Sequence, residues 1–100
     1  MISDKIKSIL KTIPTDPGVY RYYDDKGEII YVGKAKNLKR RVHSYFNKQQ
    51  QSIKVSVLVS RIADIRFTVV NSEMEALLLE NNFIKQYKPR YNILLKDDKT

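Results

Sequence analysis

One glutamate lies on the apolar side of a predicted helix, where a carboxylate is unexpected. Residues 72–88 follow a helical pattern, and positions three, four and seven away from Glu80 share its face. The residues at those positions are Ala76, Leu77, Phe83, Ile84 and Tyr87. Burying an unpaired charge is costly, so such a group is normally paired or bound to a metal. Glu80 is therefore a candidate metal ligand, and a buried ion pair with Lys or Arg is the alternative.

A second acid on the same helix has a structural explanation. Ser72 and Glu75 have the S-x-x-E spacing of a capping box, in which each side chain satisfies a backbone amide at the helix start. No such explanation applies to Glu80. The spacing therefore predicts a capping role for Glu75 and leaves Glu80 as the candidate for chemistry.

Two tyrosines are placed on the two arms of a predicted hairpin, with strands at residues 18–23 and 28–33. A two-residue turn at Asp25 and Lys26 would put Tyr20 and Tyr31 directly opposite each other on one face. A three-residue turn would move them out of phase, and a β-bulge would then be required. Packing in the core is the alternative to a catalytic role for this pair.

A helix predicted at residues 36–46 follows the second strand, with Leu38 and Val42 pointing inward. Lys34, Arg41 and Tyr45 fall on the same side as Leu38, because their spacings are seven and four. Arg41 is therefore not on the fully solvated face, which makes it a candidate for chemistry.

Positive charge is concentrated at this helix. The chain has 19 Lys and Arg against 11 Asp and Glu, a formal charge of +8, which favours a polyanionic partner such as nucleic acid. Lys36, Lys39 and Arg40 are the candidates for phosphate contacts. A basic surface that serves solubility is the alternative.

Composition excludes several other classes of protein. An apolar fraction of 42% is ordinary for a globular chain, and 100 residues suit a single domain, residues 1–100. The absence of Cys excludes disulfides and thiolate metal sites, and a lone His43 gives no support to a zinc site. The charged N-terminus is unlike a signal peptide, and no apolar run approaches the roughly 20 residues of a transmembrane helix. We expect a cytoplasmic protein.

The elements that must position the candidate residues form an α+β pattern. A first helix at residues 3–13 begins at Ser3 and is ended by two prolines. A third helix is predicted at residues 53–62 with Ile53, Val57 and Leu58 inward, then a strand at 64–70 and the Glu80 helix. Pro89 ends that helix, and residues 91–96 are expected to be extended. The predicted order is α-β-β-α-α-β-α, a small, mainly antiparallel three-stranded sheet flanked by helices.

The sequence resembles the GIY-YIG nuclease family. The resemblance starts with Gly18-Val19-Tyr20 and Tyr31-Val32-Gly33, in which two valines stand where the family name has Ile. It continues through residues 34–38, 41–42, 44–46, 75–80, 88–92 and 95–99, and so covers essentially the whole chain. Within the family it is nearest to the N-terminal nuclease domain of the incision subunit of bacterial nucleotide excision repair, part of the response to DNA damage.

The resemblance implies a DNA endonuclease that depends on one divalent metal ion, Mg²⁺ or Mn²⁺, bound at Glu80. The family's functional positions fall on Tyr20, Tyr31, Lys34, Arg41, Tyr45, Glu80 and Asn92. It also implies incision on the 3′ side of a damaged nucleotide, in an N-terminal piece of a longer protein. A damage-loading subunit would then act through regions outside this chain. A stand-alone nuclease of the family and a nucleic-acid-binding module without catalysis are the alternatives.

A mechanism follows as a hypothesis from these residues. Arg41 would offset charge on the phosphoryl oxygens. A tyrosine would take the proton of the attacking water, and because free tyrosine has a pKa near 10, it needs a nearby cation. We expect Tyr31 as this base, with Lys34 as the cation and Tyr20 as an orienting group, although the sequence does not separate the two tyrosines. Tyr45 and Asn92 would position the phosphate and brace the site.

Overall fold

Helices cover both faces of a three-stranded sheet in the computed structural model of the protein, which describes residues 3–47 and 52–96. The elements in chain order are α1 (Asp4–Thr12), β1 (Gly18–Tyr23), β2 (Ile29–Ala35), α2 (Leu38–Tyr45), α3 (Ile53–Arg61), β3 (Asp64–Val69), α4 (Glu73–Tyr87) and α5 (Arg90–Lys96). The predicted α+β class and the order of the first seven elements are confirmed. Residues 97–99, at the end of the family resemblance, lie outside the described residues.

The starts of α1 and α4 are capped by side chains that the sequence pattern indicated. The Ser3 hydroxyl accepts a hydrogen bond from the Ile6 amide at 3.2 Å, and Ser72 accepts from the Glu75 amide at 3.2 Å. The Glu75 carboxylate reaches back to the Asn71 amide at 2.9 Å, one residue before the cap. The capping role predicted for Glu75 is therefore confirmed, with the donor amide one position earlier than in a standard capping box.

The sheet is antiparallel, with strand order β2-β1-β3. At the turn between β1 and β2, the Asp24 amide donates to the Glu28 carbonyl at 3.0 Å and the Gly27 amide donates to the Asp24 carbonyl at 3.1 Å. Gly27 has a φ of 80°, which glycine adopts without steric cost. Three residues therefore lie between the bonded pair, and the two-residue turn considered from the sequence is wrong.

A β-bulge in β2 follows this turn. Tyr23 pairs with Ile29, whereas the next residue of β1, Tyr22, pairs with Tyr31. Ile30 is therefore the extra residue on β2. The bulge expected for a three-residue turn is confirmed.

Because of the bulge, Tyr20 and Tyr31 lie on one face of the sheet without being opposite each other. Tyr20 is paired with Gly33, and Tyr31 is paired with Tyr22. The direct pairing of Tyr20 with Tyr31 is therefore wrong, but the shared face holds because the two are separated by one two-residue step.

Two apolar clusters cover the two faces of the sheet. The smaller one joins α4 to the sheet through Val19, Val32 and Ala76. The larger one fills the face that α1, α2, α3 and α5 cover, and its buried members are Ile6, Leu10, Ile13, Tyr20, Tyr22, Ile30, Leu38, Val42, Tyr45, Leu58, Ile65 and Tyr91. Tyr20 and Tyr22 of β1 and Tyr45 of α2 are thus part of the main core.

The inward face of α3 differs from the predicted one. Ile53 is 84% exposed and Val57 is 43% exposed, whereas Leu58 is fully buried. Val55 and Val59 pack against the core beside Leu58. Both sets fit a helical period, and the position of α5, which packs on α3, decides which set is covered.

Residues 90–96 form α5, so the extended segment predicted there is wrong. Lys88 ends α4 in the left-handed region with φ 45°, and the Asn92 amide then donates to the Pro89 carbonyl at 3.1 Å. Tyr91 is 7% exposed, and Leu95, four positions later, packs against the main core. That four-residue spacing is the helical signal the sequence interpretation missed. Among the described residues, no helix has the length and apolar character needed to cross a membrane.

Candidate active site

Four tyrosines form one cluster between β1, β2 and α2. The ring centroid of Tyr20 lies 5.3 Å from that of Tyr22, 6.3 Å from that of Tyr31 and 5.8 Å from that of Tyr45. Tyr31 stacks on Tyr22 at 6.0 Å. The hydroxyl oxygens of Tyr20 and Tyr45 are 2.8 Å apart and share a hydrogen bond. The structure thus brings the three predicted site tyrosines together.

The close approach of Tyr20 to β2 requires a glycine. Gly33 is the cross-strand partner of Tyr20, and a Cβ atom at Gly33 would collide with the Tyr20 ring and hydroxyl. The second glycine of the tyrosine motif therefore provides space for the first tyrosine, not an unusual backbone angle.

Arg41 joins this cluster from α2. Its Nε donates to the Tyr20 hydroxyl and its terminal NH2 donates to the Tyr45 hydroxyl, both at 3.4 Å. The guanidinium carbon also lies 5.2 Å from the centre of the Tyr45 ring, within range of a cation–π interaction. Arg41 as a whole is exposed, so its cationic group connects the buried phenols to the surface.

Burial raises the pKa of each of the four tyrosines in this cluster, because the anionic form is poorly solvated there. The pKa of Tyr20 is raised to about 12 by burial and by Tyr31, against the opposing effects of Tyr45 and Arg41. Burial likewise raises the pKa of Tyr31 and of Tyr45. For Arg41, burial acts to lower the pKa, but Tyr20, Tyr45 and Tyr31 together raise it by more, so the group stays cationic.

Glu80 lies beside this cluster on α4, but it is half-buried and not buried as predicted. Two residues expected on its packed side are at the surface, since Leu77 is 39% and Tyr87 is 48% exposed. Ala76 is buried, so the packed face is narrower than the pattern suggested and Glu80 lies at its edge. The negative charge of Glu80 adds to the effects that raise the pKa of Tyr31, after burial and Tyr45.

The cation that lowers the pKa of Tyr31 is Arg41. Lys34, which we expected to provide this field, is an exposed residue that lines a neighbouring groove. The strand alternation explains the difference, because Lys34 pairs with Val19 and so points away from the face that carries the tyrosines.

Asn92 contacts the backbone of β2. Its side-chain oxygen accepts from the Val32 amide and its side-chain nitrogen donates to the Val32 carbonyl, both at 2.8 Å. β2 is an edge strand, so this amide pairs with the open edge as a neighbouring strand would. Asn92 thereby fixes the strand residue that follows Tyr31. A contact of Asn92 with phosphate stays a prediction.

The three residues predicted to contact nucleic acid are all exposed. Lys36 and Arg40 line a groove of about 460 Å³ beside the cluster, together with Lys34 and Arg41. Lys39 lies on α2 but is not among the residues that line it.

Tyr22 belongs to the cluster, although the sequence interpretation did not single it out. Its ring contacts those of Tyr20, Tyr31 and Tyr45, and it is fully buried. Its hydroxyl has no hydrogen-bond partner among the described residues. The signal was its two-residue spacing from Tyr20, which places both rings on one face of β1.

Among the described residues, no group of three or more His, Cys, Asp or Glu side chains could enclose a metal ion. A metal bound here would be held by few protein ligands. Mg²⁺ accepts such a site, since it keeps several waters and commonly uses one or two carboxylates. Glu80, half-buried beside the phenol cluster, is compatible with that requirement.

Comparisons with known proteins agree with this arrangement. Residues 16–93 match a family model described as the UvrC-like GIY-YIG domain. The chain is 66% identical over 98 residues to UvrABC system protein C of Bacteroides fragilis, which covers 98% of the chain and 16% of that relative. It is 56% identical over 100 residues to the same protein of Porphyromonas gingivalis, which covers 100% of the chain and 17% of that relative. The chain therefore spans about a sixth of the length of these relatives.

A solved structure has the same fold. The GIY-YIG N-terminal endonuclease domain of UvrC from Thermotoga maritima, bound to magnesium as its catalytic divalent cation, matches with a TM-score of 0.80 and 39% identity. The match covers 90% of this chain and 98% of that one. A variant of that domain with one tyrosine changed to phenylalanine, also bound to the catalytic divalent cation, matches equally well. From its tyrosine motif to the asparagine that holds β2, the chain belongs to the UvrC-like GIY-YIG domain family.

Proposed function

We propose that this domain hydrolyses a phosphodiester of DNA with one divalent metal ion held at Glu80. The observation that carries the proposal is the convergence of Arg41 on the hydroxyls of Tyr20 and Tyr45, in a corner that also contains Tyr31 and Glu80. This corner opens beside a groove lined by basic residues, as a phosphate substrate requires.

Each residue of the site has a separate role in the proposed reaction. Arg41 keeps its positive charge and offsets negative charge that develops on the phosphoryl oxygens. Tyr45 holds the Tyr20 hydroxyl, and both fix the guanidinium. In its phenolate form, Tyr31 would accept the proton of the attacking water, which Tyr20 orients. The bond from phosphorus to the 3′ oxygen breaks as the new bond from the water oxygen to phosphorus forms. The products are a 5′-phosphate and a 3′-hydroxyl.

The raised pKa of Tyr31 bears on its role as base. Burial disfavours the phenolate, and Glu80 adds to the effect, whereas Arg41 opposes it. A divalent ion bound at Glu80 would supply positive charge that favours the phenolate and polarises the phosphate. Three variants of the Thermotoga domain, each with a different tyrosine changed to phenylalanine, are bound to the catalytic divalent cation, which supports a carboxylate, not a phenol, as the main ligand here.

We further propose that, within a UvrC-type protein, this domain makes the incision on the 3′ side of a damaged nucleotide. The identity of 66% to a UvrABC system protein supports this role. A UvrB-type subunit would then deliver the damaged DNA through regions outside this chain. Lys36, Lys39 and Arg40 would contact the backbone of that DNA.

The test is a Glu80→Gln substitution, which removes the charge and preserves the shape of the side chain. We would place the chain in the matching region of the Bacteroides fragilis protein and measure 3′ incision of damaged duplex with its partners in Mg²⁺. The expected result is a loss of incision of at least about a hundredfold, with DNA loading unchanged. The control is Glu28→Gln in the β1–β2 turn.

Binding of Mn²⁺ to the isolated domain provides a second measurement. Glu80→Gln should abolish it and Glu28→Gln should leave it unchanged. Incision that survives in the Glu80 variant would overturn the nuclease assignment, and unchanged Mn²⁺ binding would overturn the metal assignment. A direct ion pair of Glu80 with Arg41 or Lys34, the alternative from the sequence, predicts no Mn²⁺ binding by the unmodified domain.

A further inference from the structure

The basic groove beside the tyrosine cluster contains one negatively charged side chain among its cations. Four cationic side chains line it, namely Lys34, Lys36, Arg40 and Arg41. The described residues that line it include a single acid, Glu73. A row of cations of this kind attracts the phosphates of nucleic acid, and a carboxylate among them weakens that attraction. The position of Glu73 therefore needs an explanation.

Glu73 reaches from the first turn of α4 to Lys36, which lies between β2 and α2. The Glu73 carboxylate oxygen is 3.3 Å from the Lys36 ammonium nitrogen, and the two side chains are 67% and 82% exposed. Ion pairs as exposed as this one contribute little to folding, because solvent screens them and two long side chains must be ordered. Stability of the fold does not account for the pair.

The start of α4 does not account for it either. Ser72 caps the Glu75 amide, and Glu75 in turn accepts from the Asn71 amide. An acid in the first turn also interacts favourably with the helix dipole, but this effect is small at an exposed position. Glutamine at position 73 would leave both capping bonds intact.

We infer that Lys36 binds a backbone phosphate of the substrate and that Glu73 occupies this cation until the phosphate displaces it. The inference rests on the proposed function, because it requires a nucleic-acid substrate. A carboxylate and a phosphodiester are both oxyanions that accept charge-assisted hydrogen bonds from an ammonium group. They repel each other, so a strand that enters the groove must expel Glu73.

The consequence is selectivity for productively bound DNA over DNA that contacts the groove alone. Glu73 lowers the affinity of the groove for any DNA backbone and speeds release of unproductive complexes, since part of the attraction is already neutralised. A strand that another subunit delivers, or that also contacts Arg41, overcomes this competition. Lys36 and Glu73 therefore form a phosphate subsite with its own competing anion.

The experiment measures binding of a fluorescein-labelled duplex oligonucleotide to the 100-residue chain by fluorescence anisotropy, in EDTA, over a range of salt concentrations. Glu73→Gln should lower the Kd by about threefold to tenfold at low salt. The slope of log K against log salt should steepen by about 0.9, the value of one added phosphate contact. Asp25→Asn in the exposed β1–β2 turn makes the same change in net charge away from the groove, and it should change the Kd by less than twofold.

A second variant isolates the pair. Lys36→Met combined with Glu73→Gln should bind no more tightly than Lys36→Met alone. The inference is overturned if Glu73→Gln tightens binding no more than Asp25→Asn, or if its gain persists without Lys36. Circular dichroism establishes that each variant is folded. Absence of any DNA binding by the unmodified chain at low salt would instead contradict the proposed function, so the two failures are distinguishable.

Discussion

The hydroxyls of Tyr20 and Tyr45 lie 2.8 Å apart, and each also accepts from Arg41 at 3.4 Å. Tyr20 comes from the central strand and Tyr45 from the last turn of α2, 25 residues later in the chain. One cation therefore connects the sheet to the basic helix, and its position depends on both phenols.

Tyr45→Phe tests this arrangement. It removes one hydroxyl and preserves the ring that packs in the core, so folding should be retained. Loss of a hydrogen bond to a charged group costs about 2 kcal/mol, which corresponds to about a thirtyfold lower kcat for incision. Tyr87→Phe, at an exposed ring on α4, is the matched control and should leave kcat unchanged. An unchanged kcat in Tyr45→Phe would remove Tyr45 from the site.

Gly33→Ala should displace the first tyrosine of the motif. The added Cβ would collide with the side chain of Tyr20, which can move only by leaving its contacts with Tyr45 and Arg41. We expect a loss of about 1–3 kcal/mol in the free energy of unfolding and a larger loss of incision activity.

Gly18→Ala is the comparison for this effect. There the added Cβ would collide with the backbone carbonyl of Thr68, so the strands must separate. The main consequence should be lower stability. Urea unfolding and incision, measured on both variants, check the contrast. Equal losses in both properties for both variants would contradict the role of Gly33 in placing Tyr20.

Asn92→Ala should weaken the edge of the sheet. It removes two hydrogen bonds to Val32, each worth about 1 kcal/mol, so the free energy of unfolding should fall by about 2 kcal/mol. Asn82→Ala, at an exposed position of α4, should change stability by less than about 0.5 kcal/mol. If Asn92→Ala lowers kcat while stability stays unchanged, Asn92 acts on the phosphate instead of on β2.

Tyr22→Phe should stabilise the protein. The Tyr22 hydroxyl is buried without a hydrogen-bond partner among the described residues, and removal of such a group relieves its desolvation cost. The expected gain in the free energy of unfolding is about 1 kcal/mol, with incision unchanged. Urea unfolding measures the free energy of unfolding, and kcat measures incision. A decrease in stability would mean that this hydroxyl is satisfied in solution.

Stability should decrease in alkaline solution. The pKa of Tyr20 is raised from 10.0 to about 12 in the folded state, and burial raises that of Tyr22 as well. Above pH 10.0 the unfolded chain has lost these protons and the folded chain retains them, so the free energy of unfolding falls as pH rises. The stabilisation is complete below pH 10.0 and, for Tyr20, is lost towards pH 12.

Urea unfolding at a series of pH values from 10.0 to about 12 measures how steeply the free energy of unfolding falls with pH. Tyr22→Phe should show a shallower slope than the unmodified chain, because one buried phenol no longer contributes. Tyr87→Phe, with its exposed phenol, should leave the slope unchanged. A free energy of unfolding that does not vary in this range would contradict the burial of the cluster.

Local features of the sequence predicted much of the fold. β1 was placed at its observed bounds, and the starts of α1 and α4 were marked by Ser3 and Ser72, because capping depends on residues three positions apart. α5 was missed, since its short apolar spacing follows a proline and resembles an extended tail. The prediction of which face of α3 points inward was wrong, because helical periodicity fits two faces of this helix equally well until a neighbouring helix covers one of them.

The sequence by itself determined the types of the candidate residues, their order, the basic helix and the separation of Glu80 from the capping Glu75. These follow from spacing along one element. Only the tertiary structure decided which phenols meet, because the bulge at Ile30 sets the register between strands. It also decided that Arg41 donates to the tyrosine hydroxyls, that Asn92 holds β2, and that Glu80 is half-buried at the edge of the packed face of α4. These depend on contacts between residues far apart in the chain, which no local period encodes.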